Sequence, residues 1–324
     1  MKKIGIAMIG CGQIAEAHLQ AIAKIPDAEL VAAMDVVEEK VRSTADKYGA
    51  KAYTSLEELL NDESVGAVVL PLPHHLHCPV SIQCAQAGKH ILVEKPMALN
   101  LSEAKRMVDA AEKAGVILMV GQSTRFRPEV WTAKSIIETG KLGEMLQCIH
   151  QRAWFLDSLS TEWRYFPEKC GGLYVPLFSS HDVDMILWLM NDTPIRVHSI
   201  LRSYTKVADA ESDGVINIEF SNEGMATMSF SMNSHIYRHN ALFIGTEGTL
   251  LIEDGKLAVN KENIELDKSE DSFVRQMREF VDAIQNEREP ITAGRKILPT
   301  MAILDAVKKS NEEQGIISLK PLFS

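Results

Sequence analysis

The sequence predicts an α/β fold: an N-terminal Rossmann-type, doubly wound parallel sheet, then a C-terminal α+β domain with a large, mostly antiparallel sheet. Three observations predict it. Apolar runs alternate with helical periodicity through residue 121, a strand, glycine turn and helix occupy residues 3–24, and beyond Gln122 strands follow one another without long helical spacers. At 324 residues the chain exceeds one comfortable core, so two domains are expected, 1–122 and 123–324.

Lys3 to Ile9 reads as a strand and Ala15 to Lys24 as a helix, with Gly10-Cys11-Gly12-Gln13-Ile14-Ala15 between them. Gly10 permits the tight turn, Gly12 lets the backbone approach a pyrophosphate, and Ala15 lets the helix pack close to the strand; Gln13 and Ile14 complete the anion-facing turn. A second strand, Glu29 to Met34, ends in Asp35, twenty residues after Ala15, where an acid accepts hydrogen bonds from an adenosine ribose. That carboxylate would repel a 2′-phosphate by up to ~4 kcal/mol at a separation of about 4 Å and intermediate dielectric. No basic residue follows in Val36-Val37-Glu38, so NAD is expected rather than NADP.

Glu38 to Tyr48 is an amphipathic helix ending at Gly49, and Ser55 caps Leu56 to Leu60 with Glu58 placed for a capping box. Val65 to Leu70 is a buried strand. Pro71-Leu72-Pro73-His74-His75-Leu76-His77 follows at its carboxyl end, where open parallel sheets bind ligands. Its three histidines lack an acid or thiolate to complete a ligand set, so no metal is expected; Pro73 and His77 are retained as cofactor contacts. A helix from Pro79 to Ala87 leads to Ile91-Leu92-Val93, a strand buried on both faces, and Pro96 stops it. The strand thus delivers Glu94 and Lys95 to a carboxyl end. Ser102 to Ala114 and Val116 to Gly121 complete the alternation.

After a helix at Pro128 to Glu138 and a turn at Gly140-Lys141-Leu142-Gly143-Glu144, strands are expected at Met145 to Ala153, Ile195 to Thr205, Val215 to Phe220, Met225 to Met232, Ala241 to Ile244 and Leu250 to Ile252. Phe273 to Ile284 and Leu298 to Lys309 carry helical periodicity. The second chemical stretch runs from Cys170 to Asp184 into a helix ending at Leu189. His181 stands near the helix start and is expected to face the cleft. Asp184, three residues on, shares its face and is placed to orient the imidazole, whereas neighbours such as Ser180-His181-Asp182 do not make a catalytic triad.

Composition narrows the class. Apolar content of 46% and charged content of 24% suit a soluble globular protein. A formal charge of −10 argues against a nucleic-acid surface, and no apolar run reaches bilayer length. Five cysteines without any C-x-x-C suggest neither a disulfide framework nor a zinc ribbon, which fits a reducing cytoplasm. Lys2-Lys3 before Ile4 to Cys11 imitates a signal peptide, but both regions are too short.

Together these stretches resemble the Gfo/Idh/MocA family of nicotinamide-dependent oxidoreductases, named for glucose–fructose oxidoreductase, inositol dehydrogenase and a rhizopine-catabolism protein. The resemblance rests on Gly10 to Ala15, Pro73 to His77, Gly88-Lys89-His90 running into Glu94-Lys95-Pro96, Gly140 to Glu144, Trp163-Arg164, Gly171-Gly172, His181 to Asp184 and Gly245-Thr246-Glu247-Gly248-Thr249. It implies catalysis by Lys95, which contacts cofactor and substrate, and by His181 as acid/base. It also implies a carbohydrate-like substrate and a homodimer or homotetramer formed through the C-terminal sheet. Arg125, Trp163, Arg164 and Tyr174 are read as substrate-pocket residues. In D-x-G-x-H, the family pattern ending at His181, this chain has Leu177 and Ser179 in place of the aspartate and glycine, and Leu72 replaces a common Thr or Ser. The main reading is an NAD-dependent dehydrogenase or reductase acting on a sugar, inositol or related polyol. The alternatives are a catalytically attenuated NAD-binding sensor and a redox-neutral enzyme with transient NAD reduction.

Overall fold

The computed structural model describes residues 3–319, and the chain divides into two compact units, 1–123 with 270–298 and 124–269 with 299–324. Where the sequence suggested one crossing at 122/123, the chain returns to the first unit for residues 270–298.

In the first unit, β1 (Ile4–Ile9), α1 (Ala15–Ile22), β2 (Ala28–Met34), α2 (Glu38–Tyr48), β3 (Lys51–Tyr53), α3 (Leu56–Leu60), β4 (Ala67–Leu70), α4 (His74–Gln86), β5 (His90–Glu94), α5 (Leu101–Ala114) and β6 (Leu118–Gly121) alternate. The strands pair in parallel in the order β3-β2-β1-β4-β5-β6. Strand order reverses between β1 and β4, which is the switch point where such sheets bind dinucleotides. Every residue of β4 and β6 is buried, as expected for strands covered on both faces. Helix ends follow local chemistry: Ser55 and Asn100 accept the N–H groups of Glu58 and Glu103, and α2 and α5 stop at left-handed Gly49 and Gly115. α4 begins at His74, five residues before the proline that the sequence suggested as its start; Pro73 stands at the cap and Pro79 lies inside the helix. His74, His75 and His77 are therefore in a first helical turn, not a loop.

The second unit contains α6 (Pro128–Glu138), β7 (Met145–Phe155), α7 (Pro167–Cys170), α8 (Ser180–Met190), β8 (Pro194–Arg202), β9 (Asp213–Phe220), β10 (Met225–Ser231), β11 (Asn233–Gly245), β12 (Thr249–Glu253), β13 (Lys256–Val259) and β14 (Glu262–Ile264). Next, α9 (Ser272–Gln285) packs on α1 in the first unit, α10 (Gly294–Glu313) runs across the division, and β15 (Ile317–Ser318) closes the sheet edge. The nine strands are ordered β14-β13-β12-β11-β7-β10-β9-β8-β15, antiparallel except for the β7–β10 pair. One face is core, with Cys148, Ile216, Met228, Phe230 and Phe243 buried. The alternate positions, including Ile149, Ile200, Val215 and Met225, are exposed.

Candidate active site

At the carboxyl end of β1, Gly10 has φ +102° and donates its N–H to the Met34 carbonyl at 2.7 Å. A side chain there would press on Leu72 and the Pro71 carbonyl, whereas the space over Gly12 is open for 4 Å. Ile14 caps α1 without any side-chain hydrogen bond, so no side chain competes for the first-turn N–H groups. This turn fits a dinucleotide pyrophosphate: close backbone, no Cβ in the way, and amide donors at a helix start. Asp35 accepts from Cys11 N–H at 2.8 Å and Val37 N–H at 2.9 Å. Its carboxylate is thereby aimed along the loop, with lone pairs left for ribose hydroxyls.

At the end of β5, Glu94 is buried beside Lys95 and accepts from the Lys95 N–H at 3.2 Å. Its other oxygen meets His18 Nε2 of α1 at 2.7 Å, with the Phe273 ring edge-on to His18. Burial opposes the Glu94 charge, but His18 and the neighbouring Lys95 outweigh it and hold the carboxyl below its usual range. His77 is fully buried, with Nδ1 2.8 Å from the Pro96 carbonyl and Nε2 2.9 Å from the Leu72 carbonyl. It therefore ties the loop after Lys95 to the loop after β4, while burial pushes its pKa down. Because a neutral imidazole has one N–H, it donates a hydrogen bond to only one of those carbonyls. A cavity of about 560 Å³ lies elsewhere, at the amino ends of β5 and β6, lined by His90, Ile117, Glu112, Arg288 and Pro290 among others. It is on the wrong edge of the sheet for the glycine turn.

In the second unit, a π-helical turn at Val175–Ser179 feeds directly into α8. Leu177, at the position of the family aspartate, is buried, and His181 is half-buried in the first turn of α8. The carboxylate read as its orienter, Asp184, is engaged on both oxygens by Arg125, whose Nε and Nη2 each lie at 2.7 Å, and by the Thr300 hydroxyl at 3.1 Å. Arg125 also lies over the Trp188 ring. Tyr174 is completely buried: it stacks on Phe230 at 3.7 Å and donates its hydroxyl to Asp182 at 3.0 Å. Trp163 and Arg164 lie on a 3-10 turn, with the guanidinium over the indole ring. Of the residues expected to line a pocket, Arg125 is thus bound to Asp184 and Tyr174 to Asp182.

The sequence reading missed the partners of Asp182. Arg152 Nη1 reaches both Asp182 oxygens, at 3.0 and 3.1 Å, while His150 Nε2 and His239 Nε2 approach Oδ1 at 3.6 and 3.8 Å. Burial opposes this charge too, but Arg152 first and then the imidazoles hold the carboxyl well below its usual range. His150 and Arg152 share the inward face of β7, and antiparallel register puts His239 of β11 opposite Arg152. The available signal was Cys148-x-His150-x-Arg152, polar residues at the inward positions of an alternating strand.

A Rossmann unit with an open glycine turn at its switch point, and a lysine held at the adjacent strand end, define a nicotinamide-dinucleotide-dependent oxidoreductase. Residues 4–122 match the oxidoreductase family with an NAD-binding Rossmann fold, and residues 130–251 match the GFO/IDH/MocA C-terminal domain. Among relatives, the myo-inositol 2-dehydrogenase of Thermotoga maritima is 26% identical over 98% of this chain and 99% of its own. The 2,7-anhydro-N-acetylneuraminate hydratase of Mediterraneibacter gnavus is 30% identical over 78% of this chain and 68% of its own. The crystal structure of the WlbA dehydrogenase from Bordetella pertussis, in complex with NADH and UDP-GlcNAcA, superposes with a TM-score of 0.88 over 98% of each chain at 27% identity. The chain belongs to the Gfo/Idh/MocA family of oxidoreductases.

Proposed function

We propose that this protein is an NAD-dependent dehydrogenase acting on a CH–OH group of a sugar, inositol or related polyol, or reducing the matching ketone. Residues 1–122 are the NAD-binding domain and 123–324 the substrate and oligomerisation domain, with the 270–298 segment packed on the former. The backbone of Gly10, Gly12, Gln13 and Ile14 binds the pyrophosphate, and Asp35 the adenosine ribose. Pro73, His77 and Glu94 shape the strand ends beside Lys95. When bound, the nicotinamide supplies a hydride acceptor or donor at C4. Lys95 polarises the reacting oxygen, and His181 takes or returns its proton, a task suited to a group that titrates near neutrality. Arg125, Trp163, Arg164 and Tyr174 remain the substrate-side set, Arg125 and Tyr174 acting from behind the surface.

The observation that carries this reading is Lys95 itself, at the carboxyl end of β5 one strand from the switch point, beside the buried Glu94–His18 pair. Its test is absorbance at the reduced-nicotinamide band while protein and NAD meet a panel of inositols, aldoses and sugar acids. Turnover that falls at least about a hundredfold in His181→Ala and Lys95→Met supports the reading; turnover indifferent to both substitutions refutes it. Asp35→Ala should narrow the preference for NAD over NADP by about tenfold or more.

A redox-neutral second reading is favoured by Leu177, which leaves an apolar side chain where the family pattern has a carboxylate, and by the relative named a hydratase. A substrate consumed without net NADH, on protein that retains NAD through purification, would select it. The exposed apolar residues on the outer sheet face support a homodimer or homotetramer. Free thiols at all five cysteines support a cytoplasmic location. Among the described residues no helix is long and apolar enough to cross a membrane.

A further inference from the structure

The first turn of α8 has no side-chain cap, since Ser179 makes no capping hydrogen bond. What fixes it are two buried carboxylates, the first and third residues after His181. Asp182, 2% exposed, is drawn to the sheet by Arg152 and by Tyr174, itself clamped on Phe230. Asp184 is drawn the other way, to Arg125 from the 3-10 turn Ser123–Phe126 and to Thr300 from α10. The charged and titratable groups facing Asp182 are Arg152 and His150 from β7, His239 from β11 and Tyr174 from the segment before α8. Each of the two acids is thus paired with its own guanidinium.

We propose that Asp182 and Arg152 form a positioning pair for His181: they set where α8 presents the imidazole and keep its surroundings electrically balanced, so that its proton affinity stays near neutrality. This rests on reading His181 as the acid/base. The His150, Asp182 and His239 ligand atoms lie within 4.8 Å of one another, a spacing open to a metal ion. Arg152, however, already covers both carboxylate oxygens and serves as the cluster's cation. A divalent ion there would meet a guanidinium at contact distance.

The test is the pH dependence of kcat/KM in the oxidation direction for wild type, Asp182→Asn, Arg152→Met, the double variant and Asp182→Glu. Asp182→Asn removes the negative charge next to His181 and leaves its Arg152 partner uncompensated, so the acid limb should move down by roughly half to one unit. Arg152→Met should move it up by a similar amount. The double variant and Asp182→Glu, which remove and keep both charges respectively, should return the limb to its wild-type position even where kcat stays reduced. Loss of rate without opposite shifts would make the pair mere packing and overturn the proposal. If a single variant fails to fold, a shifted limb in the balanced double variant overturns it instead. Stoichiometric divalent metal in the purified protein, lost in Asp182→Asn, would overturn it as well. His181→Ala separates the two ideas: activity that survives with its limb intact removes the acid/base reading itself.

Discussion

Two buried carboxylates, one in each unit, stand next in sequence to the two residues assigned to catalysis: Glu94 before Lys95 and Asp182 after His181. Glu94 has a light set of partners, one imidazole at 2.7 Å and one backbone N–H. Asp182 has a guanidinium on both oxygens, a phenol, and two imidazoles at the margin of contact. The difference follows from the surrounding architecture. A parallel strand covered on both faces offers its end residue few polar neighbours, whereas the inward face of an antiparallel sheet presents side chains from adjacent strands in register. The carboxylate on a helix over that sheet therefore needs, and finds, a full counter-charge.

The largest effect expected from breaking this comparison is at Asp182. Asp182→Leu leaves Arg152 partly buried without its partner, and such stranding costs about 3 kcal/mol or more. All four tryptophans, 131, 154, 163 and 188, lie in the second unit, so their fluorescence in a urea titration reads that unit alone. An unchanged fluorescence midpoint would show that Arg152 is solvated and the hub dispensable. Glu94→Gln should cost less, about 1–3 kcal/mol, because an amide still pairs with His18 while the charge-assisted part is lost. The loss should register in circular dichroism and leave the tryptophan midpoint nearly in place.

Acid sharpens the same contrast. Both carboxyls have folded pKa values below their unfolded ones, so each contributes stability above its unfolded pKa, about 4.3 for Glu and 3.9 for Asp, and loses it as pH falls through the folded value. Glu94 is lowered and Asp182 lowered much further. On acidification below about pH 3.9 the second unit, holding the more deeply lowered Asp182, should therefore lose the more stability, and tryptophan fluorescence should report that loss. A change in circular dichroism with tryptophan fluorescence left intact would reverse the ranking of the two sites.

How much of this was legible depended on distance along the chain. The Rossmann unit could be read because its signals are local: Gly10 to Ala15, the acid at Asp35, and apolar runs that the strands match closely. Helices α2, α3 and α6 fall where capping and periodicity put them. Lys95 and His181 stood out by motif, yet their supporting groups did not. His18 is 76 residues from Glu94, and Arg152 and His239 are 30 and 57 residues from Asp182. Such pairings depend on sheet register and helix placement, which no local window encodes. The short strands β3, β13, β14 and β15 escaped for a related reason: at two to four residues each, they owe their existence to a neighbour.

The smallest effect belongs to a pair that looks as good on distance alone. Arg42 Nε lies 2.9 Å from Glu38 on α2, four residues apart, with side chains 70% and 64% exposed. Solvent screens the attraction, and ordering two long side chains offsets most of what remains, so Arg42→Ala should cost no more than about 0.5 kcal/mol. A urea titration by circular dichroism, run beside Glu94→Gln, should find the Arg42 variant indistinguishable from wild type while the Glu94 variant shifts. Equal shifts would mean that burial does not separate the two pairs, and the ordering from Asp182 through Glu94 to Glu38 would then have to rest on something other than desolvation.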